Sequence, residues 1–189
     1  MKAEDYVVIL DFLPRGRGSS FKAEPLAQVL GLEYFTLLEI VPKEGVSFKA
    51  GDKIYVGKEE RDKVSYIKRR ISYNDLTNNS IAEIDKAIEK IIKENESKFV
   101  DFFNSSRPIT IKRHQLELLP SLGKKHMLEI VKQREIKKFG SFDELEKRVH
   151  LMPNPVHILT KRVIEELEGK EDKHFLFVRP PSKKPFDFQ

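Results

Sequence analysis

The residues with the most pointed chemistry are His114-Gln-Leu-Glu-Leu-Leu-Pro-Ser-Leu-Gly-Lys-Lys-His-Met-Leu-Glu-Ile130. Pro120 stops a helix, because it lacks an N–H and its ring clashes with the preceding turn. Gly123 allows a tight backbone path before the next helix starts. A helix start exposes unpaired N–H groups and the positive end of a dipole, which together suit a phosphate. Lys124 and Lys125 add two cations at the same spot, against the preference of a helix dipole. An anion seated there would explain that local cost. The amides of Leu122, Gly123, Lys124 and Lys125 are expected to face one phosphate, with Lys124, Lys125, Arg113 and Lys132 reaching its neighbours. Such contacts position a protein on a backbone without reading bases, and they weaken steeply with salt. The bland alternative is a plain corner between two helices, and the local charge favours the phosphate site over it.

Two further groups could contact a polyanion. Pro14-Arg-Gly-Arg-Gly-Ser-Ser20 is a glycine-rich loop with two guanidiniums and no acid, Arg15 and Arg17. Arginine offers phosphate a bidentate fork; a disordered surface loop is an equal alternative. Tyr66, Lys68 and Arg70 alternate along one side of an expected strand, an aromatic beside two cations. Arg69 on the opposite side spoils the pattern, so a plain solvated face is preferred there. His114, His126, His150, His157 and His174 have no ligand spacing and read as surface or packing residues. No phosphate-binding loop, dinucleotide fingerprint or serine elbow occurs, and the acids show no catalytic pairing. The expectation is therefore no catalytic residue, no metal and no cofactor.

Charge supports the first group. The 189-residue chain carries a net +5, yet Arg107 to Lys138 holds nine Lys/Arg against three Asp/Glu, or +6, leaving −1 for the remainder. A localised excess of this kind is the footprint of a polyanion site. There are no cysteines, which removes disulfides, thiol catalysis and thiolate zinc sites and suits a reducing cytoplasm. No apolar run reaches membrane-spanning length and the N-terminus lacks a signal-peptide core, so no membrane partner is expected.

The elements that must position these residues fall into two styles. Tyr6–Leu13, Tyr34–Val41, Lys53–Val56 and Val64–Tyr73 read as strands joined by Gly and Pro turns, the makings of a small barrel. Glu24–Gly31 reads as a short helix, with Pro25 at its start and Gly31 at its stop. Ser80 with Glu83 forms a capping box for a helix whose apolar face is Ile81, Ile84, Ile88, Ile91 and Ile92. A shorter piece with Phe99, Val100, Phe102 and Phe103 follows, and Asn104-Ser105-Ser106 reads as the loop between domains. Beyond it the chain is helical in pairs. Lys112–Leu119 and Lys124–Lys138 flank one hairpin. Phe142–Val149, capped by Ser141, and a last helix opened by Asn154-Pro155 flank another. Leu119-Pro-Ser-Leu122 and Leu151-Met-Pro-Asn154 take similar places, a degenerate internal repeat. The second lacks glycine and cations, so its role is structural. His174–Arg179 is expected as a final strand before a loose tail.

Leu118-Leu-Pro-Ser-Leu-Gly-Lys-Lys125 resembles the Leu-Pro-Gly-Ile-Gly-Lys core of helix-hairpin-helix proteins. Together with Tyr6–Leu13, Lys49-Ala-Gly-Asp-Lys-Ile-Tyr-Val-Gly57 and Arg162-Val-Ile-Glu-Glu-Leu-Glu-Gly169, nearly the whole chain resembles an uncharacterised archaeal family, domain of unknown function 655. That resemblance implies a nucleic-acid-binding barrel ahead of a paired helix-hairpin-helix domain, with RNA preferred over DNA. Ser121 stands where the generic hairpin has its first glycine, and Met127 where a small residue usually follows. The fold expected is α+β: an oligonucleotide-binding-like barrel over 1–78, a helical connector over 79–106, and over 107–189 an all-α tandem hairpin domain with a short terminal strand. The function expected is non-enzymatic binding of an RNA or DNA backbone, with ribosomal or transcription-related proteins as further partners. The alternatives are a protein-interaction adaptor in a translation or transcription complex and a nucleic-acid-processing enzyme.

Overall fold

The computed structural model describes residues 3–17, 24–170 and 174–180. Five strands, β1 (Tyr6–Leu13), β2 (Leu26–Gly31), β3 (Leu37–Pro42), β4 (Lys53–Tyr55) and β5 (Val64–Arg70), form one antiparallel sheet in the order β4-β1-β2-β3-β5. Register shifts at Ile9/Asp11 in β1, and opposite Glu39/Ile40 and Val41/Pro42 where β5 carries the extra residues Lys68 and Ser65, are the bulges that curl it into a half-barrel. Alternation sends Val7, Ile9, Ala27, Val29, Leu38 and Ile40 into one core with Phe48, Ile54, Val56 and Val64.

β2 replaces the short helix expected at Glu24–Gly31. Its six residues are all buried, between β1 on one side and β3 on the other. A proline and a glycine bracket a buried strand as readily as a helix, and six apolar-rich residues are too few for periodicity to decide. Gly31 has a specific reason to lack a side chain. An added Cβ would lie 2.0 Å from the Glu4 carboxyl carbon. That carboxylate is buried and accepts the amides of Glu33 (2.9 Å), Tyr34 (3.1 Å) and Thr36 (3.1 Å), so it ties down the β2–β3 turn in which Phe35 adopts a φ of +51°.

On the outer side of the sheet a polar row crosses four strands, Asp11 opposite Gln28, Gln28 opposite Glu39 and Glu39 opposite Arg69. Gln28 is wholly buried and satisfied: its Nε2 donates to the Asp75 carbonyl (2.9 Å), and its Oε1 accepts Thr77 N–H (2.8 Å) and Ser80 Oγ–H (2.7 Å). Helix α1 (Asn78–Glu94) therefore starts before the expected cap. Thr77 Oγ1 takes the Ser80 amide at 3.1 Å, because Gln28 has claimed the Ser80 hydroxyl. Ile84, Ile88, Ile91 and Ile92 are buried as expected, whereas Ile81 is exposed.

Four more helices follow: α2 (Glu96–Ser105), α3 (Lys124–Ile136), α4 (Phe142–Arg148) and α5 (Pro155–Leu167). The loop expected at 104–106 is instead the end of α2. Asn104 exchanges two hydrogen bonds of 2.9 Å with the Phe139 backbone, and buried Ser106 receives Arg134. A two-stranded ribbon, β6 (Pro108–Thr110) with β7 (Arg113–His114), stands where the first hairpin helix was expected to begin, and only a 3₁₀ turn, Gln115–Leu118, remains of that helix. Nor does His174–Pro180 form a strand. It lies down as an extended strap whose Leu176, Phe177 and Val178 amides donate to the buried Glu166 carboxylate at 2.8–3.0 Å. A carboxylate that satisfies three amides makes a partner strand unnecessary.

The packing forms two compact units, Met1–Ile84 with Glu166–Gln189, and Asp85–Glu165. The expected segments divide the chain linearly at 78 and 106, whereas these units divide it at 84 and 165.

Candidate nucleic-acid interface

The site is built from the turn at 119–122. Leu119 closes the 3₁₀ turn, Pro120 follows, and Ser121 adopts a φ of +68° before Leu122 N–H returns to the Leu119 carbonyl at 3.1 Å. Proline followed by a positive-φ residue is the signature of a type II turn. The left-handed position is thus Ser121, not Gly123. Gly123 has ordinary extended dihedrals (φ −94°, ψ −179°), and a Cβ there would meet nothing within 4 Å. Neither chain geometry nor packing demands a glycine at 123; what it leaves is room over the backbone. Leu122 drops out of the expected set, since its side chain is buried and its amide is already bonded to Leu119.

Gly123 then caps α3 with no side-chain hydrogen bond. The first intrahelical bond is Met127 N–H to the Gly123 carbonyl (3.1 Å), so the Lys124 and Lys125 amides have no acceptor in their own helix. Lys124, Lys125 and Lys132 are exposed, and no acid occupies the first turn. Helix α2 likewise starts without a side-chain cap bond at Asn95, but it carries Glu96 in its first turn, and α4 and α5 start differently. Ser141 Oγ accepts the Glu144 amide at the start of α4 (3.1 Å), and Asn154 Oδ1 accepts the His157 amide at the start of α5 (3.0 Å).

A second turn props the first. Val149 closes α4, Leu151 takes a φ of +52°, and Met152 N–H returns to the Val149 carbonyl at 3.3 Å. The repeat therefore aligns 119–122 with 149–152, two residues upstream of the alignment read from sequence, because the two turns match in hydrogen bonding rather than in residue type. His126, in the first turn of α3, bonds the Leu151 carbonyl through Nε2 at 3.1 Å, and Glu129 accepts the His150 amide at 3.0 Å. The His126 imidazole thus serves packing, whereas His150 contributes only its backbone amide and its side chain is exposed.

His114 is a second structural histidine. Its Nδ1 accepts the Leu116 amide at 3.1 Å, and Glu117 returns to its own N–H at 2.8 Å, a capping box for the 3₁₀ turn. Burial and the nearby Arg134 guanidinium hold the imidazole below its ordinary value. Arg134 itself is spent on the Phe103 and Ser106 carbonyls (2.8 and 2.9 Å) and on Ser106 Oγ (2.8 Å), and burial lowers its pKa. Of the basic segment it is the member turned inward.

The other candidates belong to the sheet unit and have found partners there. Arg17 pairs with buried Glu39 (Nε to Oε1, 2.8 Å) and donates to the Asp75 carbonyl; Arg69 takes the other Glu39 oxygen at 2.8 Å. Arg15 stays exposed, while the remainder of its loop, 18–23, lies outside the described residues. Tyr66 Oη donates to Glu24 Oε1 at 2.5 Å and Lys68 pairs with Glu24 Oε2 at 3.1 Å, which holds that carboxyl below the ordinary range. Arg70 donates to the backbone carbonyls of Arg179 and Pro180, fastening the strap. These partners are long-range, 22 (Arg17 to Glu39) to 110 residues away in sequence, and no local pattern announces them. Among the described residues no group of acids and histidines could hold a metal ion, and no helix is long and apolar enough to cross a membrane.

Comparison with known proteins places relatives in archaea. Residues 3–179 match a family model described as protein of unknown function (DUF655). The chain is 42% identical over 179 residues to an uncharacterised protein, MJ0038, of Methanocaldococcus jannaschii, covering 94% of this chain and 81% of that one. The crystal structure of Af1531 from Archaeoglobus fulgidus has the same fold, with a TM-score of 0.85 and 43% identity over 93% of this chain and all of that one.

Proposed function

This chain belongs to the DUF655 family of proteins of unknown function, and we propose from its own residues that it is a non-enzymatic nucleic-acid-binding protein that grips a phosphate backbone, RNA before DNA. The observation that carries this reading is the start of α3. A glycine cap without steric cause, two exposed lysines and amides without helical acceptors converge at one point. Each is individually unfavourable or neutral for folding, and each favours a bound phosphate. The +6 segment supplies the surrounding field. The turns at 119–122 and 149–152 support the helix-hairpin-helix reading, and the curled sheet supports an oligonucleotide-binding-like barrel as its companion. Binding of mixed-sequence RNA and DNA followed by fluorescence anisotropy across a salt series tests the proposal. Affinity should fall steeply with salt. A flat response, or no binding at low salt, overturns it and returns the helix pairs to the adaptor reading.

A further inference from the structure

The β6–β7 ribbon carries a feature that a phosphate grip does not use. Its tip is Ile111-Lys112, and Ile111 is wholly exposed, at 106% of its reference area. At the tip the Lys112 amide donates to Thr110 Oγ1 at 3.3 Å. The base of the ribbon is fastened to the 3₁₀ turn: Arg107 N–H donates to Gln115 Oε1 (2.7 Å) and Gln115 N–H returns to the Arg107 carbonyl (3.0 Å). An aliphatic side chain is thus held out at the tip of a ribbon hydrogen-bonded at its base. Residues 107–113 include Arg107, Lys112 and Arg113 and no acid.

An apolar protein interface needs a contiguous patch, and cations flank this isoleucine instead. Single-stranded bases stack on aromatic rings, and the one ring in residues 107–114, the His114 imidazole, is buried and accepts the Leu116 amide. A lone branched aliphatic residue flanked by cations matches a wedge that enters a base step while the cations meet the phosphates on either side. We propose that Ile111 is such a wedge, and that the ligand is base-paired nucleic acid locally unstacked at the contacted step. This rests on the reading of the 107–138 segment as a nucleic-acid surface.

The chain has no tryptophan, so Ile111→Trp introduces a single reporter at the tip. Its emission should be quenched by short RNA or DNA duplexes, the two arms showing which duplex is preferred, and much less by matched single strands. A duplex carrying a fluorescent aminopurine should brighten with the wild-type chain and not with Ile111→Ala. That variant should fold normally, because the side chain touches solvent alone, and should lose about tenfold in duplex affinity. Unchanged affinity in Ile111→Ala, or unmoved tryptophan emission at saturating duplex, overturns the wedge while leaving the phosphate grip standing. Absence of any nucleic-acid binding by the wild type overturns both.

Discussion

Lys124 and Lys125 differ from the other cations of their segment in position rather than in charge. The double change Lys124→Glu, Lys125→Glu should weaken binding about a hundredfold, two charge-assisted contacts being lost. The same charge change at Lys138 and Lys161 should cost far less. Lys137 is unsuitable as a control because it pairs with Glu144 at 3.1 Å. Acids in a first turn suit the dipole, so the hairpin variant should melt no lower than wild type; equal binding losses in both pairs would reduce the segment to a diffuse patch. The two loop arginines separate in the same way. Arg15→Ala should leave the melting temperature unchanged, whereas Arg17→Ala should destabilise by about 1–3 kcal/mol by leaving a buried carboxylate short of a donor. His114 supplies the pH dependence. Its folded pKa lies below the usual 6.5, so the unfolded chain binds its proton first. The stability it lends is complete above about pH 6.5 and is lost as the pH falls from there toward the depressed value. His114→Asn, which retains an acceptor for the Leu116 amide, should flatten that part of a thermal-melt pH series.

The turn between β2 and β3 depends on a residue that precedes the whole sheet. Glu4→Ala should destabilise the sheet unit by about 3 kcal/mol, with three amides left without their acceptor, and Gly31→Ala should do so by displacing the same carboxylate. Denaturant titrations would measure both, and wild-type midpoints would remove Glu4 from this role. These elements also show how far sequence reaches. Tyr6–Leu13 was legible to the residue because an apolar, β-branched-rich run broken only by Asp11 ended on a proline. The start of α3 was legible because Pro120, Gly123 and two lysines are local signals. Leu26–Gly31 was not, because its identity as a strand comes from neighbours on both sides. The partners of Arg17, Tyr66, Lys68 and Arg70 were hidden for the same reason, and so was the conversion of the expected 112–119 helix into a ribbon. There His114 and Glu117 satisfy backbone groups that a longer helix would have used.

At the scale of the molecule, the expected mode of binding predicts a number. If Lys124, Lys125, Lys132 and Arg113 each meet a phosphate of duplex DNA, log K should fall against log salt with a slope of about −3 to −4, and the double lysine variant should lessen it by about 2. A slope near zero would contradict a backbone grip altogether. The sheet unit is completed from both ends of the chain, since the strap returns with Arg179 N–H on the Tyr34 carbonyl at 3.1 Å and with its amides on Glu166. Removing residues 166–189 should therefore lower the melting temperature of the sheet, though not one of its strands is deleted. The same closure bears on biosynthesis. The chain leaves the ribosome amino end first, so the five strands emerge early and wait while the whole of Asp85–Glu165 is translated before their last piece arrives. The helical unit has all its residues available before the sheet has all of its own. The older half of the nascent chain is thus the later to finish, and during that interval its unclosed surface is the part most in need of a chaperone.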